Sequence, residues 1–239
     1  MAASGGVVVQ FTTLLYTARM SQRLQGFIFD LDGVVVFTDK YHYLGWKRLA
    51  DTQGWHLDET IGHQLRGVSR IPALEVILEH NGVTVSEDEK HRLADIKNEY
   101  YKAFLRDINE DDLYPGAVEF VERVRELGMK TALASASKNA EAVLEALRLA
   151  HLFDAVVTGN DITRSKPDPQ VFLTAAERFG VEPSRCVVFE DAYSGIEAAH
   201  NAGMQAVGVG DPARLPNASL CMTDYSELSL EDIIERGLE

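Results

Sequence analysis

Side chains able to do chemistry follow four separate apolar runs of this sequence. The run GFIFD ends in Asp30, and Asp32 follows two positions later. Such a pair is costly, because each carboxylate loses hydration at the end of a buried strand and each repels the other. Three later runs are followed by SASKN, by SKPDP and by the pair Glu190-Asp191. If the four places meet, a bound cation can offset that cost.

The elements that would bring these places together alternate between strands and helices. Five short runs rich in β-branched residues have the pattern of buried parallel strands, namely GFIFD, KTALAS, AVVT, CVVFE and QAVGVG. Helical patterns such as PGAVEFVERVRELG and PQVFLTAAERFG separate them from the second run onward. We therefore predict an α/β fold with a doubly wound, Rossmann-like parallel sheet, whose ligands bind at the carboxyl ends of the strands.

The interval between the first and second strands breaks this alternation. It contains only helical patterns, including YHYLGWKRLADTQG and DEKHRLADIKNEYYKAFL, and it is too long for one crossover connection. We expect a helical cap at residues 38–113, inserted into an α/β core of residues 20–37 and 114–239. A cap above the strand ends would act as a lid. Residues 1–19 are interpreted as a dispensable extension, because Met20 directly precedes the first good strand.

Composition and charge restrict the class of partner. The chain has 239 residues, of which 46% are hydrophobic and 25% are charged, and its formal net charge is -14. Such a surface repels nucleic acids and anionic membranes, so neither is expected as a partner. No apolar stretch reaches the roughly 18 to 20 residues that a membrane span requires. The two cysteines, Cys186 and Cys221, form no disulfide framework, which fits a cytoplasmic protein.

Together the four places supply four acids, a lysine and a pair of serines. Carboxylates with few nitrogen or sulfur ligands nearby suit a hard cation such as Mg²⁺. Ser135 and Ser137 share a side before a helix start, which makes an anion site, and Lys166 could reach the same phosphate. Each feature also has a plainer interpretation. The acids could lie in a surface turn, Ser137 could cap the helix, and Lys166 could be solvated.

The sequence resembles the haloacid dehalogenase superfamily of phosphotransferases, whose four motifs it matches in order through DLDG at 30–33, Ser135, Lys166-Pro167 and Glu190-Asp191. The resemblance implies that Asp30 is the nucleophile, which forms an aspartyl-phosphate, and that Asp32 is the general acid and base. It also implies that Ser135 and Lys166 hold the transferring phosphoryl group. One Mg²⁺ per active site would be bound by Asp30, the backbone carbonyl of Asp32, Glu190 and Asp191.

Other stretches resemble the β-phosphoglucomutase family, namely FDLDGVV, LRGVSR, KNEYY, YPGA and LASASKN. This resemblance implies interconversion of β-D-glucose 1-phosphate and β-D-glucose 6-phosphate, with glucose 1,6-bisphosphate as intermediate and activator. The only partner expected is a small sugar phosphate, and the protein is expected to be a monomer. The positions that would bind substrate or phosphate are Thr38, His42, Trp46, Arg66, Gly67, Arg70, Lys97, Ser135, Ala136, Ser137, Lys138, Asn139 and Lys166.

Several points stay open at this level. A mutase needs a second phosphate site, for which the cap offers Arg66, Arg70 and Lys97, but these could also be ordinary exposed helix charges. Trp46 could belong to the cap core. Ala73 stands where relatives carry a serine, which puts the sugar in doubt. A sugar-phosphate phosphatase is the main alternative, and a non-catalytic phosphosugar-binding protein is a third, against which the retained acidic pair argues.

Overall fold

The structure is a computed structural model, and it describes residues 24–65, 68–227, 230 and 233. The interpretation of residues 1–19 as an extension therefore concerns residues outside the described part. The predicted site residues Arg66 and Gly67 also lie outside it.

Within the described residues the chain forms six strands and eight α-helices. Short 3₁₀ turns at Leu105–Asp107, Glu110–Asp112, Ala150–Leu152, Pro183–Arg185 and Pro212–Arg214 connect several of them. The strands are β1 Gly26–Phe29, β2 Lys130–Ala134, β3 Ala155–Val157, β4 Cys186–Glu190, β5 Gln205–Val209 and β6 Leu220–Met222. The helices are α1 Asp39–Gln53, α2 Glu59–Gln64, α3 Arg70–His80, α4 Glu87–Phe104, α5 Ala117–Glu126, α6 Ala140–Ala146, α7 Gln170–Phe179 and α8 Tyr193–Asn201.

The six strands form one parallel sheet in the order β3-β2-β1-β4-β5-β6. The predicted fold class is confirmed, and all five predicted strands are present. The sixth strand was missed because Leu220–Met222 has only three residues, of which one is buried. Strand β1 lies between β2 and β4, and its last residue, Phe29, is level with Leu133 and Phe189. Chain segments that follow these three strands therefore begin side by side.

Helices cover the sheet, which fits the mostly apolar composition of its strands. All four residues of β1 and all five of β4 are buried. On one face Ile28 and Val188 pack in a cluster with residues of α7 and α8, including Phe172 and Ile196. Elsewhere in the core the ring of Phe29 stacks on that of Phe189, with centroids 4.7 Å apart. The sheet is thus a rigid base for the loops at its carboxyl edge.

The chain divides into two compact units. The core unit contains the residues up to Val36 and from Leu113 onward, and the helical unit is Phe37–Asp112. Both junctions fall one residue earlier than the expected boundaries of 38–113. The reason is that Val36 pairs with Leu113 in an antiparallel bridge. Phe37 instead donates its backbone N–H to the carbonyl oxygen of Asp112 (2.7 Å).

The helical unit has a hydrophobic centre of its own. Trp46 and Leu49 of α1 pack there with Leu74 and Ile77 of α3 and with Leu93 of α4. The predicted helical patterns correspond to α1, α3 and α4, whereas α2 was missed because six residues are too few to show a helical period. In the part of the chain that the structure describes, no helix is long and apolar enough to cross a membrane.

Removal of the Phe29 ring tests the packing beneath the strand ends. Phe29 is fully buried, so Phe29→Ala should lower the free energy of unfolding by about 4 kcal/mol. The control is Leu173→Ala, because Leu173 is 39% exposed and its loss should cost within about 0.5 kcal/mol. Urea unfolding of both variants makes the comparison. Equal losses would contradict the packing described here.

Candidate active site

Asp30 stands directly after β1, at the centre of the sheet's carboxyl edge. The residue is only 6% exposed, and its backbone N–H donates to the carbonyl oxygen of Phe189 (3.0 Å). The strand thus ends at Phe29, one residue before the GFIFD pattern predicts, and the ladder to β4 continues by one more hydrogen bond. Because of this bond, Asp30 starts its loop in a fixed position beside the end of β4.

Lys166 joins Asp30 to Glu190. Its Nζ lies 2.6 Å from Asp30 Oδ1 and 2.5 Å from Glu190 Oε1, and its side chain is 9% exposed. It is therefore not a solvated lysine. Burial alone would lower the pKa of Lys166, but the two carboxylates raise it above its usual range, so the ammonium stays charged. The ring centroid of Phe172 lies 4.9 Å from Nζ, within the range of a cation–π contact.

The acids nevertheless carry more negative charge than one lysine balances. Burial raises the pKa of Asp30 to about 7, an effect that Lys166 opposes and that the charges of Glu190 and Asp32 reinforce. Desolvation of its carboxyl group and the charges of Glu190 and Asp30 raise the pKa of Asp191 to about 8. The four acids are thus close enough to repel one another, as the sequence predicts.

Two glycines leave the space that the carboxylates of Glu190 and Asp191 occupy. A Cβ on Gly195 would lie 1.9 Å from Glu190 Oε1, and a Cβ on Gly33 would lie 2.1 Å from Asp191 Oδ2. Glu190 is further fixed because its Oε2 accepts the backbone N–H of Ala192 (2.7 Å). Sequence reasoning missed Gly195, although an isolated glycine inside the helical pattern SGIEAAHNAG was a signal of close backbone approach.

A tight loop after β1 carries Asp32. The carbonyl oxygen of Leu31 accepts the N–H groups of Val35 (2.9 Å) and Val36 (3.0 Å), and Gly33 donates to the carbonyl oxygen of Val36 (2.9 Å). Gly33 has φ 75°, a left-handed conformation that favours glycine. The loop therefore turns at once and holds Asp32 next to Asp30 rather than leading it away.

The loop after β2 is organised by its serine hydroxyls. Ser135 is 1% exposed, and its Oγ accepts the backbone N–H of Ser137 (3.0 Å). The Oγ of Ser137 in turn accepts the N–H of Asn139 (3.2 Å). Asn139 is the N-cap residue of α6, so the interpretation of Ser137 as the cap is wrong by two residues. Ala136 and Lys138 are exposed in this loop, and Asn139 is buried.

The side chains predicted to bind Mg²⁺ are Asp30, Glu190 and Asp191, at the carboxyl edge of the sheet. Among the described residues, no three His, Cys, Asp or Glu side chains are grouped so that they enclose a metal ion. Lys166 contacts two of the predicted ligands, Asp30 and Glu190. The donor chemistry fits a hard cation, because every side-chain ligand is a carboxylate and their charges exceed that of Lys166. The metal ligands therefore stay a prediction.

The helical unit holds a second group of predicted residues, around Lys97. This lysine is 2% exposed, and its Nζ lies 2.9 Å from His42 Nδ1. The ring centroids of Trp46 and Tyr101 are each 4.9 Å from Nζ. Lys97 is thus not an ordinary exposed helix charge. Trp46 is 3% exposed and belongs to the hydrophobic centre of the unit, which is the core role rather than the sugar-facing one.

Arg70 and Thr38 complete this group. Burial and the charges of Lys97 and Arg70 hold the pKa of His42 well below its usual range, so the imidazole is neutral near pH 7. Arg70 donates from Nη2 to Asn98 Oδ1 (3.0 Å). Thr38 is buried, and its carbonyl oxygen accepts the N–H of His42 (3.1 Å). We call the two cations Lys97 and Arg70, which both act on the neutral His42, the cationic group of the helical unit.

Comparison with known proteins gives the family. Residues 24–203 match the model of the haloacid dehalogenase-like hydrolases. The chain belongs to this family. Enzymes of the superfamily generally use Mg²⁺. The predicted resemblance to the superfamily is thereby confirmed, and the matched range contains Asp30, Ser135, Lys166 and Glu190.

Individual relatives point to two related activities. Over 210 residues the chain is 37% identical to the β-phosphoglucomutase of Bacillus subtilis, covering 87% of this chain and 93% of the relative. It is also 37% identical over 190 residues to the fructose-1-phosphate phosphatase YqaB of Escherichia coli, covering 80% and 98%. A crystal structure of β-phosphoglucomutase from Clostridium difficile superposes with a TM-score of 0.80 and 38% identity, covering 90% and 97%.

The neutral state of His42 has a measurable consequence. Its folded-state pKa lies below the value of about 6.5 in the unfolded chain, so the unfolded state binds the extra proton between the two values. The contribution of His42 to the free energy of unfolding should therefore fall as the pH drops below about 6.5, by up to about 1.4 kcal/mol per pH unit. The raised pKa values of Asp30 and Asp191 act in the opposite direction, but they are common to the parent and to His42→Gln. The slope of the free energy of unfolding against pH, measured by urea unfolding between pH 7.5 and 5.5, should therefore be less positive in His42→Gln than in the parent. Identical slopes in the two proteins would refute a buried, neutral His42.

Proposed function

We propose that this protein is a Mg²⁺-dependent phosphomutase. It interconverts β-D-glucose 1-phosphate and β-D-glucose 6-phosphate through an aspartyl-phosphate and glucose 1,6-bisphosphate. The family supports phosphoryl chemistry, and the β-phosphoglucomutase relatives, at 37% and 38% identity over most of the chain, support a sugar phosphate as substrate. The choice of a mutase over a phosphatase depends on the cationic group of the helical unit.

The buried position of Lys97 is the observation that carries the proposal. An intermediate with two phosphate groups requires two anion-binding groups, and Ser135 with Lys166 provides one. Lys97 is 2% exposed in a chain of net charge -14. Lys97 and Arg70 both act on His42 and hold its imidazole neutral, so two cations lie near one side chain of the helical unit. Like charges in one place are unfavourable, and a phosphate group bound by Lys97 and Arg70 would offset that cost.

The chemistry at Asp30 follows from its surroundings. One carboxylate oxygen is held by Lys166, which keeps the side chain in one orientation. The other would attack the C1 phosphorus of glucose 1,6-bisphosphate, so that an O–P bond forms, the bond to the sugar oxygen breaks and glucose 6-phosphate leaves. Asp32 would give its proton to the departing sugar oxygen and later remove one from the 6-hydroxyl of a β-D-glucose 1-phosphate. The aspartyl-phosphate would pass its phosphoryl group to that hydroxyl, which regenerates both Asp30 and glucose 1,6-bisphosphate.

The remaining groups of the site would bind the phosphoryl oxygens and the metal ion. Ser135 and Lys166 would hold the oxygens of the transferring phosphoryl group, since both are fixed at the sheet edge. Asp30, the backbone carbonyl of Asp32, Glu190 and Asp191 would hold the Mg²⁺. When bound, the metal supplies positive charge that neutralises the phosphoryl oxygens.

A sugar-phosphate phosphatase is the second candidate. The Escherichia coli phosphatase has the same 37% identity to this chain as the Bacillus subtilis mutase, over 190 aligned residues rather than 210. In a phosphatase, water and not a sugar hydroxyl attacks the aspartyl-phosphate, so no second anion-binding group is required. The Asp30 chemistry is the same in both candidates.

Product analysis distinguishes the two candidates. The protein is incubated with Mg²⁺, β-D-glucose 1-phosphate and a trace of glucose 1,6-bisphosphate, and glucose 6-phosphate and inorganic phosphate are measured together. We expect glucose 6-phosphate as the main product. Inorganic phosphate without glucose 6-phosphate would establish a phosphatase. Asp30→Asn should abolish both products while leaving the circular dichroism spectrum unchanged, and a variant with most of its activity would contradict the role of Asp30.

The role of Lys97 can be tested against a lysine on the same helix. Lys97→Met should lower kcat/KM of the mutase reaction by about 100-fold, the loss expected for a charge-assisted phosphate contact of about 3 kcal/mol. Lys102→Met is the matched control, because the side chain of Lys102 is 49% exposed and pairs with Glu99 on the surface. It should stay within about two-fold of the parent, since surface pairs contribute little. Equal effects of both substitutions would remove the main support for the mutase.

A further inference from the structure

The loop after β3 is hydrogen-bonded to residues 135–139, the loop after β2 that we call the serine loop. Gly159 donates its N–H to the carbonyl oxygen of Ser137 (3.0 Å). Asn160 donates from Nδ2 to the carbonyl oxygen of Lys138 (3.2 Å). A Cβ on Gly159 would lie 2.3 Å from the carbonyl oxygen of Ala136 and 2.9 Å from the backbone nitrogen of Lys138. Only glycine fits at this contact, so the position of one loop sets that of the other.

An ion pair fixes the β3 loop in turn. Asp161 Oδ2 accepts the backbone N–H of Thr158 (2.8 Å) and its hydroxyl (3.0 Å). Its other oxygen, Oδ1, accepts from Arg178 Nη2 (2.5 Å). Arg178 lies in the last turn of α7 and also donates from Nη1 to the carbonyl oxygen of Val156, which belongs to β3. The guanidinium is therefore bound at two points, as its fork geometry permits.

We propose that Arg178, Asp161 and Gly159 are positioning residues that hold the serine loop in the geometry needed to bind the transferring phosphoryl group. Arg178 holds the carboxylate of Asp161, and Asp161 accepts the two hydrogen bonds that fix the turn at Thr158. The absence of a side chain at Gly159 allows that turn to lie against residues 136–138. The hydroxyl of Ser135 accepts from Ser137, so a shift of this segment displaces the phosphoryl-binding groups directly. The proposal rests on the phosphoryl chemistry of the proposed function and not on the identity of the sugar.

Position matters here because a misplacement of about 1 Å in a group that contacts the reacting atoms can cost about 100-fold in rate. Groups that bind the phosphoryl oxygens more strongly in the transition state affect kcat more than KM. A residue that merely stabilises the fold would lower the melting temperature and leave kcat of the folded enzyme unchanged. These two behaviours can be separated by experiment.

The test uses Arg178→Gln, Gly159→Ala and Arg178→Lys, with Arg123→Gln as control. Arg123 lies on α5 in the core unit and forms a surface pair with Glu126, with the arginine side chain 52% exposed. Two readouts are measured at a temperature where every variant is folded. One is kcat and KM with 4-nitrophenyl phosphate and Mg²⁺, and the other is the affinity for inorganic phosphate.

We expect Arg178→Gln and Gly159→Ala each to lower kcat and to weaken phosphate binding by about ten-fold, with KM changed less than kcat. Arg178→Lys should restore most of kcat, because it can still donate to Asp161. Arg123→Gln should match the parent. If Arg178→Gln or Gly159→Ala melts earlier but keeps the parent kcat and phosphate affinity, the role is structural and the proposal is overturned. The same holds if Arg178→Lys is no better than Arg178→Gln.

These readouts are independent of the sugar. If the parent protein fails to convert β-D-glucose 1-phosphate but binds phosphate more tightly than Arg178→Gln does, the mutase proposal fails while the positioning role is upheld. If the parent forms glucose 6-phosphate and all variants match it, the mutase stands and the positioning role is overturned.

Discussion

The ammonium of Lys166, held between Asp30 and Glu190, is the interaction on which the site depends. Two carboxylates at the ends of adjacent buried strands could not both stay ionised in a desolvated edge without a cation. Lys166 contacts one oxygen of each, at 2.6 and 2.5 Å. The sheet order makes this possible, because β1 lies beside β4 and the two acids therefore end neighbouring strands. One long side chain from the loop after β3 can then reach both.

One lysine does not neutralise the whole cluster, and this imbalance has a chemical use. Asp32 and Asp191 lie close to the pair that Lys166 already binds, and burial together with the charges of Glu190 and Asp30 raises the pKa of Asp191 to about 8. A bound divalent cation and a phosphoryl group together bring roughly balanced charges into such a site. The carboxylates are packed closely against the backbone at Gly33 and Gly195, and any side chain at these two positions would displace Asp191 or Glu190.

The sequence was sufficient for the fold class, the five main strands and the four places at the sheet edge, because periodicity and strand-end residues are local signals. It could not place Lys166 on Asp30, since the two residues are 136 positions apart and only the sheet order brings them together. The same limit applies to Arg178 and Asp161, whose pairing is visible only once α7 packs beside β3. Short elements such as β6 and α2 are too brief to show a period, and they were missed.

The two buried lysines lie in different surroundings, and this difference separates the two halves of the functional question. Lys166 contacts the carboxylates of Asp30 and Glu190, at the ends of neighbouring strands. Lys97 contacts the imidazole of His42 and two aromatic rings in the helical unit, where the charge of Arg70 also acts on His42. Two cations near one neutral imidazole make a region of positive charge in a chain of net charge -14, and such a region attracts an anionic phosphate group. The chemistry of Asp30 is therefore common to mutases and phosphatases, whereas the environment of Lys97 bears on which of the two this protein is.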